Sequence, residues 1–301
     1  MSKFAEAIVG GLYLLAWRIV RWLPERMAYQ FFYFLGRQLT LRKSKSVNRL
    51  RSNLARVKPD LNEIELDELL AKAMNSYLRY WCDTFRFPDW SDERVMGTVE
   101  VVNEDLLLQA IAAGSGVIVA LPHAGNWDHA GAYFCGKGVR LVTVAERLKP
   151  EILFRKFLAH RQAMGMEVLP LDSRSIATLA KRLREGGLVA LVADRDISKT
   201  GVTVDFFGGI ARMPAGPAVL SLNTKSPLLT AYVSYTVTGI HINFRQVLPD
   251  PAGSQQERVR GIVQQCANNF ADGINEHPQD WHMLQRIWID RDFQEGENAT
   301  S

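Results

Sequence analysis

Phe4, Ile8, Leu12, Leu15, Ile19 and Leu23 recur at three- and four-residue steps, the apolar stripe of an amphipathic helix. Trp17 and Trp22 flank Arg18 and Arg21 near its end. A second helical stretch, 25–41, is crowded with Met27, Tyr29, Phe31, Phe32, Tyr33, Phe34 and Leu35. Residues 62–87 predict a long helix with a buried Tyr77, Tyr80, Trp81 and Phe85 face and a polar edge at Asp83 and Arg86. From there the pattern alternates. Short extended runs are expected at 99–102, 116–121, 139–144, 167–171, 188–192, 203–207, 228–233 and 240–244. Helices are expected at 104–113, 127–135, 151–164, 175–184, 214–222 and 257–276.

Strands that alternate with helices of about ten residues predict an α/β fold with a central, mostly parallel or mixed sheet flanked by helices. Runs such as GVIVAL (116–121) and LVALV (188–192) are apolar throughout, as strands covered on both faces must be. Ligands in such sheets bind where strands end and loops begin.

A chain of 301 residues, 47% apolar and 23% charged, buries one large core. The expected organisation is a pair of basic amphipathic helices over 1–56 packed on an α/β domain over 57–290, with a polar, flexible tail over 291–301. The net charge of +4 conceals an asymmetry: residues 1–56 hold 11 Lys/Arg against 2 Asp/Glu, and the remainder is net acidic. Within 1–56 the longest uncharged run, 7–17, is 11 residues, whereas crossing a bilayer takes about 20. Arginines and tryptophans stand where a signal peptide would be cleaved. Two readings of the N-terminal pair follow. Either it lies in a membrane interface, with arginines on anionic headgroups, or it is two core helices whose basic face meets water. Nucleic acid is disfavoured, because the aromatics follow helical stripes and not a stacking sheet. Cys82, Cys135 and Cys266 are far apart, odd in number and without metal-ligand spacing, so neither a disulfide framework nor a zinc site is expected.

The chemistry-bearing residues follow the two apolar strands. After the first come Pro122-His123-Ala124-Gly125-Asn126-Trp127-Asp128. The His-x4-Asp spacing sets His123 on the loop and Asp128 in the first turn of the next helix, with Asn126 as its cap. An imidazole titrating near neutrality suits proton abstraction from an alcohol, and a nearby carboxylate would steady the imidazolium. His-x4-Asp also arises by chance, and a satisfied structural histidine is the competing reading. After the second strand come Asp194, Arg195 and Asp196, three charges either lining a site or forming a solvated turn. Further on, Arg212 precedes Pro214, expected in the first turn of a helix whose N-terminus would suit an anion such as phosphate. Pro278 to His282 closes the domain beside aromatic residues.

Gly131-x4-Gly136-Lys137 lacks the Ser/Thr of a phosphate loop and sits at the end of a helix, so it is set aside. His129 and His160 read as structural. No GxSxG occurs and no cysteine has a histidine neighbour in sequence, which disfavours a nucleophilic hydrolase. Asn298-Ala299-Thr300 is a sequon only in a secreted eukaryotic setting, which nothing else supports.

Taken together, His123-x4-Asp128, the segment VAERLKP at 144–150, Ala193-Asp194-Arg195-Asp196, the segments 205–209 and 212–217, and the segment 278–285 resemble the lysophospholipid acyltransferase superfamily. The resemblance is to the branch of lipid A late acyltransferases, and runs to about residue 290. Within it the wording of VAERLKP, ADRD and ARMPAGP is most similar to the actinobacterial phosphatidylinositol mannoside acyltransferases. The resemblance implies a glycerol-3-phosphate acyltransferase-like fold and His123 as general base on an acceptor hydroxyl, which attacks an acyl-CoA or carrier-protein thioester without a covalent acyl-enzyme. It implies that Asp128 organises the loop and that a separate carboxylate pairs with the histidine. Asp194 holds that position here, with Asp196 in reserve, where the mannoside branch usually has glutamate. Glu146 and Arg161 fall where the branch binds the acceptor, and Arg195 and Arg212 are further candidates for substrate binding. No metal and no permanent cofactor are implied; acyl-CoA is the co-substrate. The partners expected are anionic membrane lipids and a glycolipid acceptor, at the cytoplasmic face of a bacterial cell membrane. Another glycolipid or lipid A-type precursor as acceptor, or a non-catalytic lipid-binding scaffold, stay open.

Overall fold

The computed structural model describes residues 3–146, 151–196, 201–248 and 250–290. Residues 147–150 of the VAERLKP segment and the tail expected over 291–301, with its sequon, lie outside the described residues. In chain order the elements are α1 (Lys3–Trp22), α2 (Glu25–Leu41), α3 (Lys45–Val57), α4 (Glu63–Arg86), α5 (Asp92–Gly97), β1 (Val99–Val102), α6 (Glu104–Ala112), β2 (Val117–Leu121), α7 (Trp127–Gly136), β3 (Leu141–Ala145), α8 (Glu151–Ala163), β4 (Glu167–Pro170), α9 (Ser173–Arg184), β5 (Leu188–Val192), β6 (Val202–Phe206), β7 (Gly209–Met213), α10 (Gly216–Thr224), β8 (Leu228–Tyr235), β9 (Ile240–Val247) and α11 (Gln255–Glu276).

Seven strands form one sheet in the order β1-β9-β8-β2-β5-β3-β4, parallel except for the β8–β9 pair. The expected α/β architecture is therefore present. Every residue of β2 is buried, because helices cover both faces. Ile118 and Ala120 point into one core with residues of α9, α10 and α11. Val117, Val119 and Leu121 point into another with α6 and α7. Period-two alternation thus divides one strand between two cores.

A third core joins the N-terminal helices to α4. Trp17, Val20, Ala28, Phe32, Leu50 and Leu54 pack against Leu66, Leu70, Met74 and Phe85. Trp17 Nε1 donates to the Phe85 carbonyl at 3.0 Å, and Arg86 reaches the carbonyls of Val20 and Leu23. The core-helix reading holds for one face of the N-terminal pair. One stripe is core, yet Leu15, Ile19, Trp22, Met27, Phe31 and Phe34 remain exposed. No helix among the described residues is long and apolar enough to cross a membrane.

Three expectations need correction. The pair of helices expected over 1–56 is three, because Lys45–Val57 forms α3, which Ser44 caps through the Val47 amide. The edge expected to be polar at Asp83 and Arg86 is covered by α1 and α2, and Asp83 is fully buried. Arg212 lies in β7, opposite Thr203 of β6, and does not lead into a helix. The helix begins at Gly216 with Pro217 in its first turn, so Pro214 precedes it. Segment 209–213 is too short and glycine-led to show a strand's alternation; pairing with β6 makes it one.

Candidate active site

β2 and β5 are parallel neighbours in register, with Leu121 beside Val192 as the last residue of each. His123 and Asp194 each follow two residues later, so equal offsets from aligned strand ends bring them together. Asp194 Oδ1 lies 2.6 Å from His123 Nδ1, and Asp194 Oδ2 accepts the His123 backbone N–H at 3.0 Å. The indole of Trp281 donates to the same Oδ2 at 3.0 Å. Asp194 is 0% exposed. Burial alone would raise its pKa; the His123 charge and these hydrogen bonds outweigh that and hold it below the usual carboxylate range. The ionised carboxylate fixes the proton on Nδ1 and leaves Nε2 as the basic nitrogen.

The loop between is held from behind. Gly125 takes φ +56°, and a Cβ there would meet the Val233 carbonyl oxygen at 2.5 Å, so the position demands glycine. Its N–H donates to the Asp280 carbonyl, and the His123 carbonyl accepts from His282 N–H at 2.7 Å. Asn126 caps α7, as expected, accepting from His129 N–H at 2.9 Å, while its amide donates to buried Asp83 at 3.2 Å. Tyr29 of α2 donates to the other oxygen of Asp83 at 2.6 Å.

Asp128 faces away from this pair. Its oxygens accept from Arg161 Nε at 2.8 Å and from the Tyr80 hydroxyl at 2.9 Å. The Asp128 charge raises the Arg161 pKa further despite the burial that would lower it. The His-x4-Asp motif is thus two devices: one residue at the groove, and one ion pair tying α7 to α8 and α4.

The His123 side chain is 37% exposed and opens on a groove of about 610 Å³. Tyr80, Trp127, Glu146, Arg161, Arg195 and Asp196 line it, with Phe154, Phe157, Leu158 and Ile176 supplying an apolar stretch. Glu146 stands at its end of β3 and is exposed. Arg195 is half-buried, and the backbone N–H of Asp196 donates to the Arg212 carbonyl at 2.9 Å. Arg212 itself is not among the groove-lining residues. A second, apolar chamber of about 80 Å³ lies under α7. It shares Trp127, Val144, Arg161 and Val192 with the groove. The groove at His123 therefore combines polar and apolar walls, and the chamber adjoins it at these four residues.

Trp281 and Tyr80 escaped the reading of the sequence as partners of the acidic residues. Trp281 carried a signal, a tryptophan inside the polar run Asp280-Trp281-His282, since a buried indole N–H needs an acceptor. Among the described residues no group of three or more His, Cys, Asp or Glu stands ready to hold a metal ion. Cys82, Cys135 and Cys266 are free thiols.

Phosphatidylinositol mannoside acyltransferase of Mycolicibacterium smegmatis is 39% identical over 280 residues, 92% of this chain and 90% of that protein. The protein of that name from Mycobacterium tuberculosis strain H37Rv is 38% identical over 293 residues, 96% of this chain and 91% of its own. The family described as bacterial lipid A biosynthesis acyltransferase matches residues 3–289, nearly the whole of the described fold and both halves of the His123–Asp194 pair, and this chain belongs to it.

Proposed function

We propose that this protein transfers a fatty acyl group of palmitoyl length from acyl-CoA to a mannose hydroxyl of a phosphatidylinositol mannoside. The observation that carries the reading is the His123–Asp194 pair at the junction of a mixed polar and apolar groove with an apolar chamber. The acceptor hydroxyl gives its proton to His123 Nε2 as its oxygen attacks the thioester carbon. The tetrahedral intermediate then expels the CoA sulfur, which takes the proton back from the imidazolium. Asp194 steadies that imidazolium through Nδ1. General base catalysis of this kind is worth about 10²–10⁴-fold, and positioning supplies the rest. A thioester is already activated, so no covalent acyl-enzyme and no metal enter the scheme.

Glu146 and Asp196 are assigned to the sugar hydroxyls and Arg195 to an anionic group of donor or acceptor, since each lines the groove. Asp128 and Arg161 hold the walls together, and Arg212 acts from outside the groove, through the Asp196 backbone. The exposed aromatic and aliphatic side chains of α1 and α2, with the arginines around them, seat the protein on anionic lipid at the cytoplasmic face of the membrane.

Incubation of purified protein with labelled palmitoyl-CoA and a mixture of mannolipids tests the whole reading. An acylated mannolipid is the expected product. Acylation of a lipid A-type precursor in preference to mannolipids would change the acceptor, and binding of both substrates without turnover would leave only a scaffold.

A further inference from the structure

We propose that Met166 sets the length of the acyl chain by closing the far end of the chamber under α7; the inference rests on the acyl-transfer reading above. The chamber mouth is formed by Trp127, Val144, Arg161 and Val192, the residues it shares with the groove at His123. Its other end is marked by Leu141 and Leu188, the first residues of β3 and β5. The chamber therefore follows β5 from Val192 back to Leu188, four residue steps or about 13 Å at ~3.3 Å per residue.

Met166 stands at that far end, just before β4, and is buried. Its thioether lies flush against α7 at Gly131. A Cβ on Gly131 would meet Met166 Cε at 2.5 Å and Sδ at 3.2 Å. Glycine on the helix thus makes room for the methionine, and the methionine occupies space that would otherwise lengthen the chamber. Met164 and Gly165, with Ala132 and Cys135 of α7, line a separate cavity of about 570 Å³. Shortening residue 166 extends the chamber toward space that already exists, whereas most core truncations leave a closed void. Methionine is unbranched and adaptable, and would permit a narrow range of lengths and not a single one.

The test is a ladder of saturated acyl-CoA thioesters differing by two carbons, assayed for kcat/KM with a mannolipid acceptor. Met166→Ala is expected to move the optimum at least two carbons longer, and Met166→Phe to move it shorter. Discrimination should be roughly tenfold for a chain one step too long, the scale of a misplaced methylene in an apolar pocket. Met166→Leu conserves volume and guards against misfolding of the other two; it should give a smaller shift toward longer chains. Unchanged profiles with a uniform fall in rate would overturn the assignment of Met166. Failure of the wild-type protein to transfer any of the thioesters would instead overturn the reading of the site.

Discussion

Nδ1 of His123 lies 2.6 Å from a carboxylate oxygen of Asp194, while both oxygens of Asp128 are turned to Tyr80 and Arg161. Two acidic residues near one histidine therefore do different work. Asp194 is joined to the ring through the register of two parallel strands, and Asp128 fastens three helices together. The predictions below separate these roles.

Replacement of His123 by alanine removes the only base assigned to the reaction. Acyl transfer is expected to fall by about 10³-fold or more, with the circular dichroism spectrum of the folded protein retained, because the ring is partly exposed at the groove and Asp194 keeps its hydrogen bonds from Trp281 and the residue-123 backbone. Measurable transfer near the wild-type rate would exclude His123 from the chemistry.

Asp194→Asn keeps the shape of the side chain and loses its charge. The expected effect is a drop in kcat of about 10³-fold with a small change in KM, since the imidazolium of the transition state loses its counter-charge. Asp128→Asn acts on stability first. It leaves the Arg161 guanidinium, largely buried between α7 and α8, without its carboxylate, at a cost of about 3 kcal/mol. Urea denaturation and steady-state kinetics on the pair of variants give the comparison. A loss of kcat from Asp128→Asn as large as that from Asp194→Asn would reverse the assignment.

Acid should destabilise the protein through histidines that the mechanism does not use. Burial lowers His129 and His160 to about 4 and His282 to about 3. Unfolded histidine titrates near pH 6.5, so between these limits the unfolded chain binds more protons and stability falls as pH falls. The stabilisation is complete above about pH 6.5 and declines steadily toward pH 4. For His160 alone the loss at pH 5 is about 2 kcal/mol. Asp83 and Asp280, which burial holds above the usual carboxylate range, act in the opposite sense. His160→Phe removes one of the three histidine contributions. Its melting temperature should therefore change less than the wild type's between pH 7 and pH 5, and an equal change in both would refute this account.

Trp22 is 75%, Phe34 61% and Phe31 50% exposed on the N-terminal helices. A double variant, Phe31→Ser with Phe34→Ser, should weaken sedimentation with anionic vesicles by more than tenfold, as two buried aromatic side chains are each worth about 2 kcal/mol. Added salt should weaken it further through the arginines. Partitioning that ignores both changes would indicate that these residues do not meet lipid.

Much of the architecture was legible in the sequence. The apolar runs at 116–121 and 188–192 announced strands covered on both faces, and α1, α2 and α4 were expected as helices. Strand β7 and helix α3 were not legible. The first is made by pairing with β6, and the second presents one apolar stripe among many charges, which reads as a solvated basic run until α4 covers it.

Local pattern alone determined that His123 stands at the end of a buried strand and that Asp128 opens the following helix, because periodicity and capping act over a few residues. Which carboxylate meets the imidazole was decided only by tertiary structure. Asp194 is 71 residues away along the chain, and its approach depends on β2 and β5 being neighbours in aligned register, a relation between distant segments that no local spacing encodes. The same holds for Trp281, which joins the cluster from 87 residues beyond Asp194, and for Met166 against Gly131, a contact that exists only once α7 is laid across the sheet.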